Sequence, residues 1–229
     1  MISYIILVVL VMVLIFIFSR FYPTATGKIT ENLYAVRSIF VSFYVLQTSG
    51  GTVLFDAGMN AATAKRGLKK LGISPESVTH VFLTHSDYDH VGGLAAFRQA
   101  ARYIPKAEVP MIDGTLARRG FMRNHFKYEY RTLENEETIT VGESAIQLLN
   151  TPGHTAGSAS FLIDGKYLMT GDLLRLSRKG VILPFLPLMN MNHKQDIKSI
   201  ETLRTKIEKI EYIFTAHTGY QNENNIIKS

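Results

Sequence analysis

Residues 84–90 of the chain read Thr-His-Ser-Asp-Tyr-Asp-His and follow the apolar run 81–83. A short apolar run of this kind is typical of a buried strand, and Gly92-Gly93 just beyond it indicates a turn. Two imidazoles and two carboxylates therefore lie at the carboxyl end of a strand, where α/β folds usually place their chemistry. Such nitrogens and oxygens are common ligands of zinc and related divalent metals. A solvated polar loop is the alternative.

The same arrangement recurs at three later places in the chain. Apolar runs ending at Leu149, Met169 and Phe214 are each followed within a few residues by a histidine or an aspartate. These residues are His154, Asp172 and His217. Because strand ends meet at the edge of a sheet, the sequence predicts one metal site made of imidazoles and carboxylates. The chain has no cysteine, which excludes thiolate ligands and disulfides.

Length and charge set broad limits on the function. A chain of 229 residues fits one sizeable domain. Its 25 basic and 19 acidic residues give a net charge of +6, which is compatible with anionic substrates or membrane headgroups. No nucleic-acid-binding motif is apparent, so we expect a small-molecule substrate and no nucleic-acid partner. The sequence does not indicate an oligomeric state.

The N-terminal residues 1–18 are apolar apart from Ser3 and Tyr4. As a helix this segment would be about 27 Å long, close to the thickness of a bilayer core. It therefore predicts a single-pass transmembrane anchor, with a cleaved signal peptide as the alternative. Arg20 and Lys28 follow the segment and favour a cytoplasmic location for the rest of the chain. The predicted division is an anchor with the start of a linker at 1–22 and a catalytic domain at 23–229.

Local patterns predict two strand-rich halves with flanking helices. Alternating or continuous apolar residues predict the strands, and 3.6-residue periodicity predicts the helices. The predicted strands are 33–36, 39–46, 52–55, 81–83, 138–141, 145–149, 159–163, 166–169 and 212–214, and the predicted helices are 60–71, 92–102 and 193–207.

Taken together, these motifs resemble the metallo-β-lactamase superfamily, whose central pattern is His-x-His-x-Asp-His. A Gly-His loop at 153–154, the Asp172 that follows a strand and the late His217 occur in the family's order. The resemblance covers residues 33–220 and includes the turn 56–58. It implies an α/β fold, a four-layer αββα sandwich with a metal site at one edge between two sheets. Here a transmembrane helix is expected before the sandwich.

The resemblance also implies the ligands of two divalent metal ions, with zinc as the first expectation. His85 and His154 would bind the first ion, Asp89, His90 and His217 the second, and Asp172 both. Two cations that share a hydroxide lower its pKa and make it a nucleophile at neutral pH. Asp89 would act catalytically by taking a proton from that water. Asp56 and Thr155 are expected to support ligands or turns.

Asp87 departs from the family pattern, because the family usually has its second histidine there. We interpret Asp87 as an oxygen ligand of the first metal, which would make that site harder and favour iron or manganese more than imidazole does. The position is similar to that of a glutamate in the flavodiiron oxygen reductases. Alternatively, Asp87 only supports a neighbouring ligand and the centre holds one metal.

The predicted function is a membrane-anchored, metal-dependent hydrolase that cleaves an ester, lactone, thioester or amide bond. The alternatives are a phosphodiesterase, an iron-dependent redox enzyme related to the flavodiiron proteins, and a metal-stabilised binding protein without activity. The last is disfavoured because every expected ligand position carries a ligating group.

Two segments remain open to more than one interpretation. Residues 118–131 mix basic and aromatic side chains, which indicates a partly exposed insertion, an anionic-substrate rim or a headgroup-contacting surface. Leu183–Met189 is unusually apolar for a connection. It either packs over the core or forms an apolar wall for an acyl or ring substrate, or contacts the bilayer.

Overall fold

The computed structural model describes residues 4, 6–8, 11–12, 15, 19–118, 120, 122–124, 126–206 and 209–222. In this part of the chain two mixed sheets pack face to face, with a hydrophobic cluster between them. The first sheet contains, in spatial order, β1 (Gly27–Lys28), β2 (Leu33–Ser38), β3 (Val41–Thr48), β4 (Gly51–Phe55), β5 (Val78–Phe82), β6 (Ala101–Pro105) and β7 (Arg131–Leu133). Its early strands are antiparallel, whereas β4 to β7 are parallel to one another.

The second sheet is formed by the later part of the chain. Its strands are β8 (Thr138–Val141), β9 (Ser144–Asn150), β10 (Ala159–Ile163), β11 (Tyr167–Met169), β14 (Tyr212–Thr215) and β15 (Gly219–Asn222), in the spatial order β15-β14-β11-β10-β9-β8. A small hairpin of β12 (Leu174–Leu176) and β13 (Ile182–Pro184) lies apart from it. The pair β11–β14 is parallel, so both strands end at the same edge.

The longer helices cover the outer faces of the sheets. Helix α1 (Ala61–Lys70) packs on the first sheet, and α4 (His193–Lys206) packs on the second through Leu203. The single turns α2 (Tyr88–Val91) and α3 (Val109–Ile112) lie between β5 and β7. Asn60 caps α1 by accepting a 2.9 Å hydrogen bond from the Thr63 backbone N–H.

Strand alternation divides the core into an inner layer and two outer layers. Along β4, Val53 and Phe55 join the inner cluster between the sheets, whereas Leu54 joins the cluster under α1. The inner cluster receives Phe161 and Phe214 from the second sheet. Burial of each such side chain contributes about 1.5–3 kcal/mol. The predicted αββα sandwich is therefore confirmed.

The predicted transmembrane helix is wrong. No helix among the described residues is both long and apolar enough to cross a membrane. A span needs about 20 consecutive apolar residues, whereas α4 has 14 residues and many charges. The described parts of residues 1–18 are stretches of three residues at most; positions 1–3, 5, 9–10, 13–14 and 16–18 lie outside the described residues. The finding contradicts the membrane localisation and the membrane contact as well, while the domain boundary after residue 22 stays a prediction.

The helix predicted at 92–102 is also wrong. The chain instead forms α2, a short 3₁₀ turn at Leu94–Ala96 and then β6. Gly92 and Gly93 pack against backbone, and a Cβ on Gly93 would lie 1.9 Å from the Ala57 carbonyl oxygen. This close approach fixes the chain beside the turn after β4, and it requires glycine.

Candidate metal centre

The candidate centre lies where strands of both sheets end. β5 leads into residues 84–90, and the connection between β9 and β10 carries His154. β11 leads into Asp172, and β14 leads into His217. The structure thus brings all the sequence-predicted ligand positions to one edge of the sandwich.

The donor atoms form overlapping groups, each with its members within 4.8 Å of one another. We call His85, Asp87 and His154 the first half of the centre, and Asp89, His90 and His217 the second half. Asp172 lies between the halves and groups with His85 and His90.

In the second half, hydrogen bonds at Nδ1 fix the orientation of both imidazole rings. His217 Nδ1 donates to the Phe40 carbonyl oxygen at 2.8 Å, and His90 Nδ1 donates to the Asp56 carboxylate at 2.8 Å. Since a carbonyl or carboxylate oxygen only accepts, Nδ1 carries the proton in both rings. The Nε2 lone pairs therefore face the centre, as they do in metal-binding histidines.

The imidazoles of the first half have the same arrangement with different partners. His85 Nδ1 lies 3.0 Å from Thr84 Oγ1, and His154 Nδ1 lies 3.1 Å from Asn190 Oδ1. Thr84 Oγ1 itself donates to Asp56, so its lone pairs are available to accept from His85. All four rings thus direct Nε2 inward.

Several of the inward-facing atoms have no hydrogen-bond partner within the described part of the chain. They are His85 Nε2, His90 Nε2 and Asp172 Oδ1, and all are buried. Moreover, His217 Nε2 lies 3.2 Å from Asp172 Oδ1 and 3.4 Å from Asp89 Oδ2. Lone pairs this close repel unless a proton or a cation lies between them. The donor set therefore fits a divalent cation.

The pKa values of the buried His85 and His90 move in opposite directions. Burial lowers the pKa of His85 well below its usual range, and the nearby His90 and His154 rings lower it further. Burial also opposes protonation of His90, but the carboxylates of Asp56, Asp172 and Asp89 outweigh it and hold that pKa well above its usual range. The His90 side of the centre therefore attracts positive charge strongly.

Asp56 organises the loop that carries the ligands. Its carboxylate accepts hydrogen bonds from the Thr84 backbone N–H at 2.8 Å and from Thr84 Oγ1, in addition to the bond from His90. Its backbone has a φ of 63°, which is strained for a residue with a side chain. The turn after β4 thus aims this carboxylate at the ligand loop.

Glu108 joins the two loops of the first half and was missed by the sequence reasoning. It is completely buried and accepts hydrogen bonds from Ser86 N–H at 2.9 Å, Thr155 Oγ1 at 2.7 Å and Gly157 N–H at 3.1 Å. Burial raises the pKa of Glu108, against the effect of its hydrogen bonds to Ser86 and Thr155. A single acidic residue in an apolar segment, Ala107-Glu108-Val109, is the only sequence signal of this role.

Residues 37–217 match the family model described as the metallo-beta-lactamase superfamily. The chain belongs to this superfamily.

Named relatives within the superfamily include hydrolases. A probable metallo-hydrolase of Methanocaldococcus jannaschii is 28% identical over 154 residues, which is 67% of this chain and 64% of the relative. An N-acyl homoserine lactonase of a Bacillus species is 28% identical over 160 residues, 56% of this chain and 62% of the relative. The match thus spans slightly less than two thirds of these relatives' length.

The superfamily fold is also evident in solved structures. A B3 metallo-beta-lactamase with an active-site glutamic acid aligns with a TM-score of 0.68 and 20% sequence identity. The alignment covers 89% of this chain and 84% of that protein. At this identity the likeness shows the fold.

Arg118 occupies a position that the superfamily motif does not predict. Its side chain is 7% exposed, and Nε lies 3.0 and 2.9 Å from the two Asp87 oxygens. Its Nη2 lies 3.0 Å from His154 Nε2 and 2.8 Å from the Met189 carbonyl oxygen. The 118–131 segment was predicted as an exposed insertion or a substrate rim, yet Arg118 contacts two of the predicted metal ligands.

An aromatic surface borders the centre on the His217 side, and we call Phe21, Phe40 and Phe185 the aromatic wall. The Phe21 ring lies 4.4 Å from the His217 ring, and Phe185 lies 5.6 Å from it. The Tyr22 N–H donates to the His217 carbonyl oxygen at 2.8 Å. Of the interpretations of residues 183–189, packing over the core fits Phe185, which is fully buried and lies 5.2 Å from the His154 ring.

Proposed function

We propose that this superfamily member is a metal-dependent hydrolase that cleaves a carboxylic ester, lactone, thioester or amide, with a lactone as the first candidate. The observation that supports this most directly is the cluster of inward-facing donor atoms at the sandwich edge, several of which have no hydrogen-bond partner among the described residues. The name of the Bacillus relative, an N-acyl homoserine lactonase, supports the choice of a lactone.

We further propose that the fully loaded centre holds two divalent ions, zinc before iron or manganese, because four imidazoles dominate the donor set. When bound, such ions lower the pKa of a water and polarise the scissile bond. The residues assigned to the ions are His85, Asp87 and His154 in the first half, Asp89, His90 and His217 in the second half, and Asp172 between them.

Asp89 is the proposed proton acceptor. Its side chain is 20% exposed, so it borders the open side of the centre, whereas Asp172 is buried between the halves. A carboxylate that lies between solvent and the centre can take a proton at an oxygen and pass it to water or to a leaving group. Asp172 lacks this access and serves to hold positive charge.

The aromatic wall supports the choice of substrate class. Phe21, Phe40 and Phe185 bring apolar rings next to His217, and Leu188, three residues after Phe185 in the sequence, is 64% exposed. Apolar surface next to a few convergent polar groups is typical of a small-molecule site. We therefore propose a small substrate whose acyl chain or ring lies against Phe21 and Phe40, with the buried Phe185 packed next to Phe21.

The test is a substrate panel with the purified full-length chain loaded with zinc. It comprises lactones of increasing acyl length, a thioester, a β-lactam and a phosphodiester. We expect lactone turnover that rises with acyl length, and a fall in kcat of about 100-fold or more in Asp89→Asn.

Asp113→Asn is the matched control, because the Asp113 carboxylate accepts from the nearby Thr115 in an exposed turn. It should retain full activity. Turnover of the phosphodiester alone would replace the proposed bond type with the phosphodiesterase alternative. Metal-loaded protein with no hydrolysis of any substrate would favour a binding or redox role.

A further inference from the structure

The two halves of the centre differ in what satisfies their donor atoms. In the second half and at Asp172, buried lone pairs have no hydrogen-bond partner among the described residues. In the first half, the Asp87 carboxylate and the His154 Nε2 lone pair are both taken by the Arg118 guanidinium. The chain thus places an arginine side chain on the first half.

The buried Arg118 side chain is held by several polar partners and not by a single surface contact. The guanidinium lies among Asp87, His154 and the Met189 carbonyl, while its buried Nη1 has no hydrogen-bond partner among the described residues. The rigid donor fork of arginine suits a carboxylate, and the Nε–H approaches both Asp87 oxygens. The segment that carries it is tied back by the Arg118 N–H, which donates to the Met122 carbonyl oxygen at 2.7 Å.

Arg118 and a metal ion cannot use the His154 Nε2 lone pair at the same time. That lone pair accepts the Arg118 Nη2–H, because His154 Nδ1 is directed at Asn190. The Asp87 carboxylate keeps further lone pairs while it accepts from Nε, but the guanidinium places a positive charge beside it that opposes a metal ion there. A metal ion in the first half therefore requires that Arg118 move away from His154.

We propose that Arg118 is an internal cation that takes the place of the first metal, so that the resting protein holds one ion in the second half and binds another only when Arg118 withdraws. A ligand that binds only a minor conformation has its apparent affinity reduced by the fraction of that conformation. The first half is therefore the weaker site. This inference rests on the proposed metal centre, though not on the proposed substrate.

Withdrawal of Arg118 has a second effect. The same guanidinium holds the Met189 carbonyl, and the Met191 N–H donates to the His154 carbonyl oxygen at 3.0 Å. Two hydrogen bonds thus hold the connection that carries Phe185 of the aromatic wall to the first half. Metal binding in the first half would break the hydrogen bond from Arg118 to the Met189 carbonyl, beside the proposed substrate surface.

The experiment compares three full-length proteins in their metal-free forms: wild type, Arg118→Met and Arg123→Met. Arg123 is the matched control, because it lies in the same segment and donates to the Gly114 carbonyl instead of the centre. Each is titrated with zinc against a chromogenic chelator, which gives the stepwise affinities. Elemental analysis after desalting gives the number of tightly bound ions.

We expect wild type and Arg123→Met to bind one zinc tightly and a second one about tenfold or more weakly. Arg118→Met should bind two zinc ions tightly, because its neutral side chain no longer competes for Asp87 and His154. Two equally tight ions in wild type, or an equal change in both variants, would overturn the role of Arg118. Zinc binding to none of the three would instead overturn the proposed metal centre.

Arg118→Lys keeps the test decisive if Arg118→Met does not fold. Lysine retains the charge but lacks the fork, so it competes less well for the two ligands. The second zinc should then bind more tightly than in wild type. A folded Arg118→Lys protein with wild-type affinities for both ions would count against the proposal.

Discussion

The two halves of the metal centre have similar donor atoms but are supported in different ways. In the second half, the His217 ring is fixed by a backbone carbonyl and the His90 ring by the carboxylate of the turn after β4. In the first half, His154 is oriented by the Asn190 side chain, and the two ligand loops meet on Glu108. Support from strand ends is intrinsic to the sandwich, whereas support from distant side chains can be changed separately. The halves should therefore respond differently to mutation.

The largest effect is expected at the residue that belongs to neither half. Asp172→Ala removes the buried carboxylate between His90, His154 and His217. Loss of a supporting group alone costs about 10–100-fold in metal affinity, so we expect a larger loss here and the loss of hydrolysis with it. Elemental analysis and turnover measure both. A variant that keeps its full metal content would remove Asp172 from the ligand set.

A substitution at Glu108 should weaken the connection between residues 84–90 and the loop that carries His154. Glu108→Ala leaves the buried N–H groups of Ser86 and Gly157 without their acceptor, which should lower the free energy of unfolding by about 3 kcal/mol. Urea unfolding of the metal-free protein measures this loss. Glu143→Ala is the control, since Glu143 binds Ser49 on an exposed turn. Equal effects of the two changes would contradict this account.

The smallest effect on activity is expected when the first half is converted to the family pattern. Asp87→His removes the carboxylate that pairs with Arg118 and adds a borderline nitrogen donor in its place. The bound metal should shift towards zinc, with hydrolysis retained. Growth with equal zinc, iron and manganese, followed by elemental analysis and turnover, checks this. An unchanged metal ratio with full activity would indicate that Asp87 is not a ligand.

The parts that could be predicted from the sequence depend on local signals. Apolar runs followed by His or Asp mark the ends of β5, β9, β11 and β14, and the structure brings these ends together. Helices α1 and α4 were predicted within a few residues, because capping and periodicity are local properties. The helix at 92–102 failed because glycine packing against the turn after β4 is a tertiary contact.

Glu108 and Arg118 were not predictable for a different reason. Each acts through partners far away in the sequence, such as Thr155 for Glu108 and His154 for Arg118. Nothing in the composition of residues 118–131 distinguishes Arg118 from the other basic residues there. Which cation reaches Asp87 is decided by the folded path of the connection between α3 and β7. A sequence pattern does not carry that information.

The parallel pairing of β11 with β14 has a consequence for the order in which the protein matures. During synthesis, Asp89 and His90 leave the ribosome long before His217, which follows β14. A nascent chain that stops short of β14 therefore lacks a complete second half, however well its first sheet has folded. Because metal binding draws on ligands from both ends of the domain, it stabilises only the finished sandwich. Metal uptake at the proposed centre would therefore require synthesis of the chain through His217.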